Sequence, residues 1–135
     1  MAKVYLDSCM VIGLIEGDAI QQKLLKARLK GQQIYSSELV RLESRLLAIR
    51  ENNTAYLLEF DRFFALCEMV DLNRAVFDRA TKLRAEQNLK TPDALHLAAA
   101  IESGCGEFWT NDKRLVKAAT QHLVVIDWDD LITQA

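Results

Sequence analysis

The sequence predicts an α/β domain, built on a mostly parallel central sheet of about five strands with helices on both faces. Short strand-like segments alternate with longer helix-like segments along the chain, as expected for parallel strands joined by helical crossovers. The single proline and five isolated glycines leave no linker within the 135 residues. We therefore expect one domain over residues 1–135.

The elements follow from local composition. Strands are expected where β-branched, aromatic and aliphatic residues cluster, at residues 3–6, 33–36, 68–72, 107–110 and 123–127. Helices are expected in the segments between them, at residues 18–30, 37–52, 54–66, 73–88 and 91–103, with a short helix starting near Asp112. In such a fold, ligands bind beyond the carboxyl ends of the strands.

Composition restricts the class of protein. The chain has 17 basic and 19 acidic residues, a net charge of −2, so a polyanion would have to be held locally. A signal peptide and a membrane span are not predicted, and we expect a soluble, cytoplasmic protein. Cys9, Cys67 and Cys105 are widely spaced, and we interpret all three as small core residues rather than zinc ligands or disulfides.

Two acids follow predicted strands. Asp7 comes directly after the first strand, and Asp112 comes after the fourth, the positions from which α/β proteins present functional groups. Each residue has a simpler interpretation, as an acid that caps the start of a helix.

Glu43 lies within a predicted helix. At 100° per residue it falls inside an apolar arc, and a carboxylate facing the core needs a partner, a proton or a cation. The alternative is a buried salt bridge, for instance with an arginine of a neighbouring helix. Glu38, at the edge of the arc, resembles an ordinary first-turn acid. The arc comprises Leu39, Leu42, Leu46, Leu47 and Ile49.

Asp93 falls in the first turn of a helix that is apolar nearly all round, as in a centrally packed helix. Helix-start chemistry explains it locally, with Thr91 and Pro92 before it. Four such acids are explained together if they converge on one site, where their mutual repulsion requires a cation. Carboxylate oxygens without sulfur or several imidazole ligands favour Mg²⁺ or Mn²⁺.

Four segments in order carry a family pattern. They are residues 4–8 (Val-Tyr-Leu-Asp-Ser), 36–43 (Ser-Ser-Glu-Leu-Val-Arg-Leu-Glu), 91–98 (Thr-Pro-Asp-Ala-Leu-His-Leu-Ala) and 109–112 (Trp-Thr-Asn-Asp). With these segments, the chain resembles the PIN-domain ribonucleases, and most closely the VapC-type toxins of bacterial toxin–antitoxin pairs. The likeness spans essentially the whole chain.

The resemblance implies a single PIN-like domain and a metal-dependent endoribonuclease. Its catalytic and metal-binding residues would be Asp7, Glu43, Asp93 and Asp112, which would hold one or two Mg²⁺ or Mn²⁺ ions, with Ser8 and Asn111 as polar groups near the site. Metal-activated water would cleave RNA phosphodiester bonds to leave 5′-phosphate and 3′-hydroxyl ends. The resemblance further implies a VapB-type antitoxin as partner.

Other residues admit two interpretations. His96 is interpreted as a hydrogen-bonded structural histidine rather than a fifth ligand or a proton shuttle. Four apolar residues at helical spacing fit the core or a homodimer surface rather than a base-stacking platform; they are Leu57, Phe60, Phe63 and Phe64. Basic residues near the motifs are expected on solvated faces, although some can contact phosphates; they are Arg41, Arg45, Lys113 and Arg114.

Other functions remain open. A haloacid-dehalogenase-like phosphatase would need a second Asp where this chain has Cys9. A phospho-accepting signalling module would need adjacent acids after an early strand, and a PIN-like fold kept only for binding would not need the complete acid set. RNA cleavage with a divalent metal discriminates the nuclease from the signalling and binding modules.

Overall fold

A computed structural model describes residues 1–133 of the chain. Its strands are β1 Lys3–Leu6, β2 Gln33–Ser36, β3 Glu68–Met69, β4 Glu107–Trp109 and β5 Val124–Ile126. Its helices are α1 Ser8–Glu16, α2 Ala19–Leu29, α3 Glu38–Arg50, α4 Thr54–Ala65, α5 Arg74–Gln87, α6 Thr91–Glu102, α7 Lys113–Ala119 and α8 Trp128–Thr133. The predicted α/β class is confirmed.

The five strands form one parallel sheet in the order β3-β2-β1-β4-β5. The chain winds outward from β1 to β3 and then crosses back to β4 on the other side of β1. Right-handed crossovers therefore place α1 to α4 on one face and α5 to α7 on the other. The order reverses between β1 and β4. In sheets of this kind, ligands bind in a crevice beyond the carboxyl ends of the strands at such a reversal.

The core lies around β1 and α6. Val4, Tyr5 and Leu6 of β1 have no solvent exposure, and α6 is buried continuously from Ala94 to Ala100. The prediction of a centrally packed helix is therefore confirmed. Phe60 and its neighbours Phe63 and Phe64 on α4 also belong to this core.

Three elements differ from the prediction. Strand β3 is shorter than residues 68–72 because its partner offers only Tyr35 and Ser36 for pairing before β2 ends. Helices α1 and α8 were not predicted. Helix α8 begins with a reciprocal cap, in which the backbone N–H groups of Asp127 and Asp130 each donate to the other residue's carboxylate, at 3.0 and 2.8 Å.

The face of α3 that packs inward was predicted wrongly. The buried residues of this helix are Val40, Ser44 and Ala48, whose short side chains allow α3 to pack closely against α1 and α4. The expected apolar arc instead lies largely in solvent. Its exposed members are 44–59 % accessible: Leu42, Leu46, Leu47 and Ile49.

The cysteines also depart from expectation. Cys105 is buried as predicted, but Cys67 is only partly buried and Cys9 is exposed. The buried residues of α1 are Met10, Val11 and Leu14, whereas the Cys9 thiol lies beside the Asp7 carboxylate, with Sγ 3.7 Å from Oδ2. Across residues 1–133, no helix has both the length and the apolar character needed to cross a membrane.

Candidate metal centre

Asp7 lies at the point where β1 ends and α1 begins. Its backbone N–H donates to the carbonyl of Trp109 on the adjacent strand at 2.9 Å, which fixes it beside β4. Its Oδ1 accepts from the Ser8 N–H at 2.7 Å and caps α1, and its Oδ2 accepts from the Thr110 hydroxyl at 2.7 Å. Asp7 therefore caps a helix and also presents a nearly buried carboxylate, 9 % exposed, in the crevice.

Glu43 lies beside the buried stripe of α3, with 29 % of its side chain exposed. Its Oε1 accepts two hydrogen bonds, from the Ser8 hydroxyl at 2.5 Å and from His96 Nε2 at 2.6 Å. Burial alone would raise the pKa of Glu43, but the hydrogen bonds from His96 and Ser8 outweigh it and lower the pKa below its usual range. The buried partner is thus a histidine of α6, not the arginine considered as an alternative.

Asp93 and Asp112 face one another across a cleft. Asp93 is partly buried in the first turn of α6. Asp112 is exposed and caps α7, because its Oδ1 accepts from the N–H groups of Arg114 at 2.9 Å and Leu115 at 3.4 Å. The cleft is lined by both acids together with Asn88, Leu89, Lys90, Lys113 and Arg114.

The four acids share one electrostatic environment. Burial raises the pKa of Asp93, and the nearby charges of Asp112, Asp7 and Glu43 raise it further. One ligand atom each from Asp7, Glu43 and His96 also lie within 4.8 Å of one another. The fold therefore brings all four predicted acids to one locus, and carboxylate oxygens are the donors that a hard divalent cation requires.

The two near-site polar residues behave differently. Ser8 lies within the centre and links Asp7 to Glu43 through its backbone N–H and its hydroxyl. Asn111 uses its Oδ1 to accept the N–H of Trp128 at 2.9 Å, so this oxygen holds the start of α8.

Two contributors were not predicted from the sequence. Thr110 lies within the fourth motif and holds Asp7, while Tyr5 lies in the first motif and contacts His96 at 2.9 Å. His96 is a hydrogen-bonded histidine, as expected, and its partner is one of the four acids.

A family model identifies this combination of fold and motifs. The model of the PIN domain matches residues 4–121, which contain all four acids. The chain belongs to the PIN domain family. No curated protein gives a significant sequence match.

Solved structures with low sequence identity share the PIN fold. A chain from DNA-bound VapBC of Salmonella typhimurium has a TM-score of 0.75 at 18 % identity, covering 95 % of this chain and 99 % of that chain. A chain of a toxin–antitoxin complex from Klebsiella pneumoniae has a TM-score of 0.67 at 22 % identity, covering 81 % and 86 %. Mycobacterium tuberculosis VapC20, described as a toxin that cleaves the sarcin–ricin loop, has a TM-score of 0.69 at 15 % identity, covering 85 % and 94 %.

The raised pKa of Asp93 predicts the sign of a stability change in this PIN domain. In EDTA at pH 7.5 the ionised carboxylate disfavours folding, so Asp93→Asn should raise the melting temperature. The gain should disappear as the pH falls below about 4, where Asp is protonated in the folded and unfolded states alike. Thermal melts at both pH values measure this.

Asp78→Asn serves as the matched control, because Asp78 is an exposed acid on α5. It should leave the melting temperature nearly unchanged at both pH values. A fall in the melting temperature of Asp93→Asn at pH 7.5 would show that Asp93 does not belong to a repulsive acid cluster.

Proposed function

We propose that this PIN domain is a metal-dependent endoribonuclease that acts as the toxin of a bacterial toxin–antitoxin pair. The observation that carries the proposal is the convergence of Asp7, Glu43, Asp93 and Asp112, from four separate segments, at the crevice between β1 and β4. The cleavage activity described for the similarly folded VapC20 supports the assignment.

The donor set fits Mg²⁺ or Mn²⁺. Asp7, Asp93 and Asp112 would hold one or two such ions, with Glu43 binding directly or through water. When bound, the cation supplies Lewis-acid charge that lowers the pKa of a coordinated water and stabilises phosphoryl oxygens. The zinc ligand set of several cysteines or histidines is not present among these residues.

The chain's own residues supply proton transfer and phosphate contacts. A carboxylate of either Asp7 or Asp112 would accept the proton of the attacking water, because both acids lie at the strand ends that border the crevice. Lys90, Lys113 and Arg114 are exposed on the wall of the cleft and would contact the RNA phosphates. In-line attack would leave 5′-phosphate and 3′-hydroxyl ends.

An antitoxin partner follows from the same proposal. The Klebsiella pneumoniae and Salmonella typhimurium structures are a toxin–antitoxin complex and a VapBC complex. The exposed apolar stripe on α3, formed by Leu42, Leu46, Leu47 and Ile49, is the kind of surface that protein partners bury. A basic residue of the antitoxin would pair with the acids in place of the cation. Homodimerisation and a cytoplasmic location remain predictions.

The competing proposal is a PIN-like or phospho-accepting module without nuclease activity. Such a module has no need for four mutually repelling acids in one place, which favours the nuclease. A cleavage assay separates the two functions.

The purified chain should cut total bacterial RNA in Mg²⁺ or Mn²⁺ and lose this activity in EDTA. Asp112→Asn should lower the rate by about 100-fold or more, since even residues that only support metal ligands contribute up to about that factor. Asparagine is also a good helix cap, so α7 should remain folded. Sequencing of the new 5′-phosphate ends measures cleavage.

The matched control is again Asp78→Asn, which should cut at the wild-type rate. Cleavage that persists in EDTA, or in Asp112→Asn at the wild-type rate, would overturn the metal-dependent assignment.

Toxin function predicts a growth phenotype. Expression of the chain alone in a bacterium should arrest growth, whereas Asp7→Ala should be harmless, because it removes an acid of the centre. Co-expression with the product of the adjacent small reading frame should restore growth and yield a complex that co-purifies. Optical density and affinity purification measure the two outcomes.

The toxin assignment fails if the wild-type chain accumulates to a high level without slowing growth and no small partner co-purifies. Ribonuclease activity detected in the same preparation would then leave the nuclease assignment standing.

A further inference from the structure

The position of His96 is not explained by the four-acid centre alone. It lies on α6 one turn after Asp93 and is 1 % exposed. Its two ring nitrogens each have a partner, Glu43 Oε1 at 2.6 Å from Nε2 and the Tyr5 hydroxyl at 2.9 Å from Nδ1. The imidazole therefore bridges the sheet and an acid of the centre.

The direction of the hydrogen bond to Glu43 follows from the chemistry of the groups. An ionised Glu43 carboxylate can only accept, so Nε2 carries the hydrogen and donates it. Nδ1 and the Tyr5 hydroxyl share the second hydrogen bond of the imidazole, at 2.9 Å. The Tyr5 hydroxyl is also hydrogen-bonded to the hydroxyl of Ser37 at 2.9 Å.

This chain of hydrogen bonds closes on the helix that carries Glu43. Ser37 caps α3, Tyr5 lies in the middle of β1, and both are fully buried. The orientation of the imidazole is therefore fixed by the rigid centre of the sheet and by the start of α3. A network satisfied at each step holds its members in one arrangement.

The network acts on one oxygen of Glu43. Oε1 accepts from both Ser8 and His96, whereas Oε2 has no hydrogen-bond partner among residues 1–133. A glutamate side chain has three rotatable bonds and would otherwise sample several positions. With Oε1 fixed, Oε2 is the oxygen that remains free to bind a cation.

We propose that His96 is a positioning residue. Its imidazole, held by Tyr5, fixes Oε1 of Glu43 so that Oε2 is presented to the divalent cation of the centre. The proposal rests on the proposed function, since it concerns the same site. His96 is not itself a ligand in this account, because its Nε2 is engaged with the carboxylate and its ring is buried.

Two substitutions separate the two hydrogen bonds of the imidazole. In His96→Gln the side-chain amide nitrogen reaches the position that Nε2 occupies in the wild type, so it can still donate to Glu43. In His96→Asn the shorter amide reaches only the position of Nδ1, so it cannot donate to Glu43. Both substitutions remove a buried ring, so both should lower the melting temperature in EDTA. A difference in metal affinity between the two variants therefore reports on the hydrogen bond to Glu43.

The experiment measures Mn²⁺ affinity by the electron paramagnetic resonance signal of free Mn²⁺, without RNA. His96→Asn should weaken binding by about 10- to 100-fold, the range for groups that support metal ligands, and His96→Gln should recover most of that loss. His122→Asn is the control, because His122 is the other histidine of the chain and is exposed. It should bind Mn²⁺ as the wild type does.

A spectroscopic signature tests the alternative role. Electron spin-echo modulation of Mn²⁺ bound to the wild type should show no directly coordinated ¹⁴N. A coordinated nitrogen that disappears in His96→Asn would make His96 a ligand and overturn the proposal.

The remaining outcomes are also decisive. Equal Mn²⁺ affinity in His96→Asn and the wild type, or equal losses in the Asn and Gln variants, would overturn the positioning role while leaving the metal centre intact. Absence of Mn²⁺ binding by the wild type would overturn the centre as well. If His96→Asn does not fold, Tyr5→Phe removes only the hydroxyl that holds the imidazole, and unchanged affinity in that variant would equally refute the role.

Discussion

The structure of this PIN domain depends on how four carboxylates are tolerated in one crevice. Like charges at short range repel, and each carboxylate also loses hydration as it is buried. The surroundings offset this cost with hydrogen-bond donors. Asp7 accepts from Ser8 and Thr110, Glu43 accepts from Ser8 and His96, and Asp112 accepts from two backbone N–H groups. Asp93 is the acid whose pKa is raised by burial and by the other three, so the residual repulsion is concentrated there.

The fold supplies these donors because the acids lie at junctions between elements. Asp7 joins β1 to α1, and Asp112 follows β4 and caps α7. Helix starts carry free backbone N–H groups, so the position that brings an acid to the crevice also gives it a donor. The interpretation of these acids as helix caps and their interpretation as site residues are therefore compatible. In the proposed function, a cation that balances the remaining charge would connect this architecture to phosphodiester chemistry.

The sequence was sufficient for the sheet, for most of the helices around it and for the acids at strand ends, because these follow from local pattern and topology. It was misleading for α3, where Leu42 and Leu46 are exposed and the short side chains of Ser44 and Ala48 pack inward. Periodicity identifies an apolar face but does not show which face a close neighbouring helix can accommodate. Glu43 was thus selected on a wrong premise, although it does lie in the centre. Its contact with His96 joins residues 53 positions apart, and only the folded chain reveals it.

The proposed function requires the crevice between β1 and β4 to bind a divalent cation through these acids. The most direct measurement is anomalous X-ray diffraction near the manganese absorption edge from crystals of the chain soaked in MnCl₂. We expect an anomalous peak bounded by carboxylate oxygens of Asp7, Asp93 and Asp112. A fully occupied manganese site elsewhere on the chain with no peak in this crevice would contradict it.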